Sequence, residues 1–134
     1  MNSKTLPLGP LAFFACLVSS AASCGGSSPN DNRTPNASSC DYRPTGKKGS
    51  VYCGEYVGDS VFVNNYKDTC ALSPGAVWSD IGCPRENTIG ACRTMRTDIN
   101  ITVTNWSYVG GDYADATALM AACAKYPPSV FVAP

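Results

Sequence analysis

The sequence predicts a small α+β domain held together by disulfides, and three observations support this fold class. The chain has 134 residues and eight cysteines, six of them within residues 40–134. So many cysteines in a short chain indicate an oxidising compartment and a disulfide scaffold. A strand-like alternation is followed by an alanine-rich helical pattern, and related signals occur earlier in the chain. We therefore expect a mostly antiparallel sheet of four to six strands with two helices on one face, built from two copies of a strand–helix–strand unit.

Residues 1–23 have the features of an export signal. Lys4 is their one charged residue, residues 11–18 form an apolar run, and small residues fill positions 19–23. An apolar run of this length is too short to span a bilayer. A positive start, a short apolar core and a small-residue exit together predict a signal peptide.

Cys24 is the predicted attachment point of a lipid anchor. The sequence Ala21-Ala22-Ser23-Cys24 resembles the bacterial lipoprotein signal, with Ala where Leu is commonest. By that resemblance the Cys24 sulfur carries diacylglycerol and its freed amine a third acyl chain, which gives stable anchoring. Gly25 is not the Asp that resembles an inner-membrane retention signal, so outer-membrane sorting is expected. Ordinary cleavage, leaving Cys24 as a thiol, is the alternative.

The segment after Cys24 is predicted to be a tether. Residues 25–39 are rich in Ser, Asn, Pro and Gly and contain no large apolar side chain. Such a segment cannot bury enough surface to offset its ordering entropy. We expect a disordered, lipid-anchored tether over residues 24–39 and a cysteine-rich domain over residues 40–134.

Six cysteines of the domain are expected to form three disulfides. They are Cys40, Cys53, Cys70, Cys83, Cys92 and Cys123. Six cysteines allow fifteen pairings, and the sequence does not choose among them. The chain has no C-x-x-C pair and no histidine, so a zinc or iron–sulfur site ranks well below disulfides and no metal is expected.

The clearest strand signal lies in the second half of the domain. Residues 99–104 alternate apolar and polar side chains, as a half-buried strand does. The apolar positions then switch from odd to even numbers at Trp106 and Tyr108. That switch predicts a bulge or a strong twist near Thr104-Asn105.

A helix is predicted after this strand. Asp112 is the expected N-cap, and residues 113–125 are rich in alanine with one apolar face. Pro127-Pro128 ends the helix, and residues 129–132 form a short closing strand.

The repeat predicts the structure of the first half. The pattern C-A-x-x-P-x-x-V-[WF] starts at both Cys70 and Cys123, and a Tyr-Val-Gly sequence begins at both Tyr56 and Tyr108. By this alignment Asp59 takes the place of Asp112.

Three elements and a connection follow from that alignment. We expect a strand over 51–57, a helix over 59–72 and a strand over 76–79. Residues 81–95 should then contain a turn and one strand.

The composition argues against catalysis and against nucleic-acid binding. Without histidine the chain has no imidazole acid–base group, and Asp59 and Asp112 are explained as helix caps. We expect no enzyme activity and no cofactor. Loss of Lys4 with the signal leaves nine basic and ten acidic side chains, a formal net charge of −1, and the longest basic run is Lys47-Lys48. No nucleic-acid partner is therefore expected.

Aromatic side chains are the best candidates for a binding surface. Trp106, Tyr108 and Tyr113 lie near the expected bulge, and if exposed they would suit contact with a glycan or peptide. Tyr52 and Tyr56 flank Cys53. Trp78 and Phe131, which are equivalent in the repeat, are better explained by core packing.

The domain resembles the small cysteine-rich lipoproteins of the myxobacterial type. The matching sequences are Cys53-Gly54-Glu55-Tyr56, Gly75-Ala76-Val77-Trp78-Ser79, Cys83-Pro84, Gly90-Ala91-Cys92, Cys123 and Phe131-Val132-Ala133-Pro134. The resemblance covers residues 40–134 and implies no assigned activity. We expect an envelope lipoprotein with a non-catalytic structural or interaction role, whose partners are the membrane and a protein or glycan of the envelope. A secreted glycan- or peptide-binding module is the alternative.

Overall fold

The computed structural model describes residues 33–34, 36–47 and 51–134. The expected signal peptide, Cys24 and most of the expected tether lie outside these residues. The described part contains two helices and six strands, with a short 3₁₀ turn after the first strand. In chain order they are β1 (Ser38–Asp41), β2 (Tyr52–Val57), α1 (Ser60–Ala71), β3 (Val77–Ser79), β4 (Thr88–Arg96), β5 (Ile101–Tyr108), α2 (Ala116–Ala124) and β6 (Val130–Val132). The predicted α+β class is confirmed.

The strands form one sheet in the order β3-β1-β2-β5-β4-β6. Every neighbouring pair is antiparallel. The paired strands β2 and β5 lie at the centre, and the edge strands β3 and β6 have three residues each. Each half of the sheet is built in the same chain order, two strands, a helix and an edge strand.

The register shows that both helices lie on one face of the sheet. Cys40, Gly54, Asn105 and Cys92 are partners in one row across β1, β2, β5 and β4, so their side chains share a face. On that face Cys40 is bonded to Cys70 of α1. Cys92 is bonded to Cys123 of α2. The two disulfides thus attach one helix to each half of the same face. The placement of both helices on one face agrees with the prediction.

The third disulfide lies on the opposite face. Cys53 pairs with Trp106 in the next row, and Trp106 pairs with Ala91. Cys53 is bonded to Cys83, which lies in the connection between β3 and β4. These residues form a buried cluster together with Tyr108. The second face is therefore covered by chain without regular secondary structure.

The folded domain begins earlier than the predicted boundary at Cys40. β1 starts at Ser38, and Ala37 and Ser39 are buried. The Ser39 hydroxyl donates a hydrogen bond of 2.7 Å to the carbonyl of Ile81. The composition of this segment does not predict a strand. A short polar segment can be ordered by backbone hydrogen bonds to strands on both sides, and the hydrophobicity of its side chains does not reveal this.

The predicted bulge near Thr104-Asn105 is wrong. β5 pairs with both neighbours in continuous register through these residues, and the register shift lies in β4 between Thr88 and Gly90. The apolar positions switch because the buried face changes along β5. Val103 packs on the helix side, whereas Trp106 is buried on the opposite side.

Gly90 has a physical reason to lack a side chain. Its φ is +135°, and a Cβ there would lie 2.5 Å from the ring of Phe131. Phe131 packs over this gap from the edge strand β6, in agreement with the predicted packing role of Phe131.

The N-cap of α1 is confirmed and that of α2 is corrected. The Asp59 carboxylate accepts a hydrogen bond of 2.8 Å from the amide of Phe62. In α2 the cap is Asp115, which accepts from the amide of Ala118 at 2.9 Å. The helix begins about one turn later than predicted because the loop after β5 is longer than the one after β2. Asp112 therefore lies in that loop and does not cap the helix.

The two-copy repeat is not confirmed in its predicted alignment. Tyr56 and Tyr108 are equivalent in the repeat, yet Tyr56 shares the face of Gly54 and Tyr108 shares that of Trp106. The helices also differ in length, with twelve and nine residues. The common chain order of the two halves remains as a feature of the topology.

A buried carboxylate connects the sheet to the segments that cover its second face. Glu55 is 2% exposed. Its Oε1 accepts hydrogen bonds of 2.7 Å from the amide of Cys83 and from Nη2 of Arg85. Its Oε2 accepts one of 2.9 Å from the hydroxyl of Thr34. The Arg85 guanidinium lies 3.8 Å from the ring centre of Trp106. Glu55 thus holds the β3–β4 connection and the N-terminal segment on β2.

Removal of the Glu55 carboxylate should destabilise the fold strongly. In Glu55→Ala the buried Arg85 guanidinium loses its counter-charge and the Cys83 amide loses its acceptor. We expect the free energy of unfolding to fall by about 3–5 kcal/mol, measured by urea denaturation with the disulfides intact. Glu86→Ala, at an exposed acid nearby, is the control and should change it by less than about 0.5 kcal/mol. Equal stabilities of the two variants would contradict this role of Glu55.

Candidate functional site: a tyrosine-lined cleft

A cleft of about 580 Å³ lies on the helix face of the sheet, above β2 and β5 and between α1 and α2. This volume is within the range of small-ligand sites in proteins. Six of the seven tyrosines of the chain line it. They are Tyr42, Tyr52, Tyr56, Tyr66, Tyr113 and Tyr126. We refer to it as the tyrosine-lined cleft.

The floor of the cleft is formed by the two central strands. Val103, Asn105 and Ser107 of β5 line it, and their spacing of two places them on one face. Gly54 of β2 pairs with Asn105. A Cβ on Gly54 would clash with the hydroxyl of Tyr56, so the absent side chain lets the Tyr56 ring lie along the floor.

One wall of the cleft consists of tyrosines that pack on each other. Tyr42 and Tyr52 are stacked with ring centres 4.7 Å apart, and Tyr56 and Tyr66 are stacked at 4.1 Å. Tyr56 also stacks on Trp78 at 6.1 Å, in agreement with the predicted packing role of Trp78. These contacts hold the rings of this wall in fixed orientations before any ligand binds.

The other wall comes from the second half of the domain and is more open. Tyr113 lies in the loop before α2 and is half-buried, while Tyr126 follows α2 and is 73% exposed. Ser129 lies beside them, and its hydroxyl is 2.7 Å from that of Thr94. Tyr113 and Tyr126 are therefore accessible to a ligand from solvent.

The cleft is nearly free of charge. Burial raises the pKa of the Tyr56 phenol, and the nearby Tyr42 raises it further. Burial likewise raises the pKa of Tyr52. Both phenols are thus neutral hydrogen-bond donors at physiological pH. Asp112 is the one charged side chain among the described residues that line the cleft.

The structure separates the three residues predicted to bind a ligand. Tyr113 lines the cleft. Trp106 and Tyr108 are each 3% exposed and lie in the core of the opposite face. The Tyr108 hydroxyl donates a hydrogen bond of 2.7 Å to the carbonyl of Pro84. These three residues therefore do not form one exposed surface.

Sequence reasoning missed most of the cleft. Tyr52 and Tyr56, four residues apart in a predicted strand, had to share a face, and this was the available signal. Tyr42, Tyr66 and Tyr126 carry no such signal, because only the tertiary fold brings the turn after β1, the helix α1 and the end of α2 together.

The described residues show neither a metal-binding cluster nor a membrane-spanning helix. They contain no cluster of three or more His, Cys, Asp or Glu side chains arranged to hold a metal ion. Neither of the described helices has the length and apolar character needed to cross a membrane.

The buried phenols should titrate late and make the fold sensitive to alkali. Burial raises the pKa of Tyr108 to about 12, and it also raises those of Tyr52 and Tyr56. The folded state therefore holds these protons more tightly than the unfolded state, whose phenols titrate near 10. Stability is fully present below about pH 10 and is lost as pH rises through 10 to 12 and beyond.

The phenolate absorbance at 295 nm, recorded together with circular dichroism, measures this behaviour. We expect Tyr52, Tyr56 and Tyr108 to ionise only as the protein unfolds. Tyr108→Phe removes one of the phenols whose pKa is raised. Between neutral pH and high pH, the free energy of unfolding of this variant should therefore fall less than that of the unchanged protein. A single titration of all tyrosines near pH 10 in a folded protein would contradict the burial of these phenols.

Comparisons with protein-family models, with curated proteins and with solved structures found no match to this chain.

Proposed function

We propose that this protein is a non-catalytic binding protein of the cell envelope, anchored through acylated Cys24, whose tyrosine-lined cleft is its ligand site. The convergence of six tyrosines on one open cleft is the observation that carries the proposal. A glycan or a peptide is the ligand class that such a surface suits.

Stability alone does not account for this arrangement of aromatic side chains. Only Tyr56 of the six is buried, at 4% exposure, and Tyr126 is 73% exposed. A core-forming tyrosine is expected to bury its ring, since the gain in free energy comes from the apolar area removed from water. Concave, partly exposed aromatic surfaces with a few polar groups are typical of binding sites.

Two features of the chain support export and anchoring. The three disulfides are compatible with an oxidising compartment outside the cytoplasm. Residues 1–24 have the lipoprotein signal pattern described above. Because the Thr34 hydroxyl is already bonded to Glu55, residues 25–33 keep the domain within roughly 35 Å of an acylated Cys24, by the length of an extended chain. The resemblance to cysteine-rich lipoproteins agrees with this placement.

The mass of the mature protein tests the anchor. The protein extracted from membranes with detergent should begin at Cys24 and carry the mass of three acyl chains, measured by intact mass spectrometry. Cys24→Ser should be released from the membrane fraction. A chain that begins at Cys24 without added lipid mass would exclude the anchor while leaving the cleft unaffected.

Ligand-dependent stabilisation tests the cleft. The mature protein in detergent is to be screened by thermal unfolding against neutral and acidic oligosaccharides and proline-rich peptides. A ligand present at 100 times its Kd should raise the free energy of unfolding by about 2.7 kcal/mol.

Matched variants then locate the bound ligand. Tyr113→Ala should abolish the stabilisation, while Val61→Ala, at a residue that is 70% exposed and not among the residues lining the cleft, should retain it. Stabilisation that survives Tyr113→Ala and Tyr126→Ala would place the ligand elsewhere and contradict the proposal. An absence of stabilisation by every probe would favour a purely structural role in the envelope.

A further inference from the structure

We infer that the ligand of the tyrosine-lined cleft is a neutral saccharide. This inference rests on the proposed function and specifies the ligand class of the same site. It follows from the hydrogen bonding of the floor strands, from the chemistry of the lining side chains and from the charge of the cleft.

The backbone of the floor offers no edge to which an extended peptide could pair. β2 is paired with β1 on one side and β5 on the other. β5 is in turn paired with β2 and β4. Peptides that bind by strand addition need a free edge, and in this sheet the edges are β3 and β6, outside the cleft floor. Recognition in the cleft must therefore come from side chains.

The lining combines flat rings with groups that both donate and accept hydrogen bonds. Tyr113 and Tyr126 present rings on the open side. The Asn105 amide and the Ser107 hydroxyl line the same cleft, and the Thr69 hydroxyl, which donates to the carbonyl of Asn65, adds an acceptor. A sugar ring has C–H groups on its faces and hydroxyls at its edge, and each hydroxyl both donates and accepts. Aromatic rings can stack on the faces of the sugar, and groups that donate and accept hydrogen bonds can pair with the hydroxyls at its edge.

The charge of the cleft selects among saccharides. Asp112, an exposed residue of the loop after β5, supplies a carboxylate, and no Lys or Arg is among the lining residues in the part of the chain that the structure describes. A uronic acid or another acidic sugar would bring a second negative charge without a cation to pair with it. The cleft therefore favours uncharged sugars over acidic ones.

Isothermal titration of the mature protein with four classes of probe tests this inference. The probes are neutral disaccharides (cellobiose, maltose and chitobiose), digalacturonate, a proline-rich decapeptide and choline. We expect saturable binding of at least one neutral disaccharide and at least about tenfold weaker binding of digalacturonate. Choline is included because aromatic rings beside a carboxylate also suit an organic cation.

Variants at exposed positions report on the site without disturbing the core. Tyr126→Ala should weaken binding of the neutral disaccharide about tenfold, as expected for the loss of one stacked ring, while Tyr126→Phe should retain most of it. Asp112→Asn should strengthen binding of digalacturonate. Leu72→Ala, at a residue that is 82% exposed and not among the lining residues, is the control and should have no effect.

The outcomes separate this inference from the proposed function. Binding of the peptide or of choline that depends on Tyr113 or Tyr126, with no disaccharide bound, would overturn the saccharide assignment and leave the cleft as a ligand site. Equal affinity for digalacturonate and the neutral disaccharides would overturn the charge argument. Failure of every probe, extended to arrays of neutral glycans and of peptides, would overturn both.

Discussion

The buried carboxylate of Glu55 is the interaction on which the two-sided structure depends. A sheet whose helices all lie on one face leaves the other face to be covered by loops, and loops have few apolar side chains for this purpose. Glu55 solves the problem by accepting hydrogen bonds from two segments that are distant in sequence, the β3–β4 connection and the chain before β1. Arg85 pairs with it and covers Trp106, so one guanidinium both neutralises the carboxylate and completes the apolar core.

The rest of the interior is unusual in what it is made of. The largest fully buried side chains are Leu119, Glu55 and five of the cysteines. A domain of this size has a thin core, and here sulfur occupies positions that larger domains fill with Leu, Ile or Phe. Two of the disulfides attach the helices to β1 and β4, away from the middle of the sheet. The centre of that face is thereby left free of a helix, and it is there that the cleft opens.

Features that depend on local periodicity could be predicted from the sequence. Features that depend on which segments cover each face of the sheet could not. The strand β5 and the helix α2 follow from patterns within single segments, whereas α1 with its cap at Asp59 follows only from the alignment of the first half with the second. The switch from Val103 to Trp106 was attributed to a bulge because the sequence does not show that β5 is covered on both sides. Ser38 and Ser39 were assigned to a tether because nothing in their side chains indicates a strand between two partners.

The candidate site shows the same division. Trp106 and Tyr108 have the composition of a binding surface, but Arg85 lies over the Trp106 ring and Arg43 over the Tyr108 ring. Conversely, the tyrosines of the cleft come from separate elements, and no spacing in the chain links Tyr42 to Tyr126. Only the shared face of Tyr52 and Tyr56 could be read from period two. Whether an aromatic side chain is buried depends on segments that are distant in sequence. The sequence could therefore indicate that aromatic residues form the binding surface, but not which of them are exposed on it.

The three disulfides divide the domain into two separately cross-linked bodies. The loops closed by Cys40–Cys70 and Cys53–Cys83 overlap in sequence, whereas Cys92–Cys123 closes a separate loop. In the described chain the two cross-linked bodies are thus joined by the peptide segment 84–91, by the hydrogen bonds between β2 and β5 and by the buried cluster that packs Cys53 and Cys83 against Trp106 and Tyr108. The cleft straddles this junction, with Tyr42 and Tyr66 on one body and Tyr113 and Tyr126 on the other. A ligand bound in the cleft contacts both cross-linked bodies and so holds them together without a covalent bond.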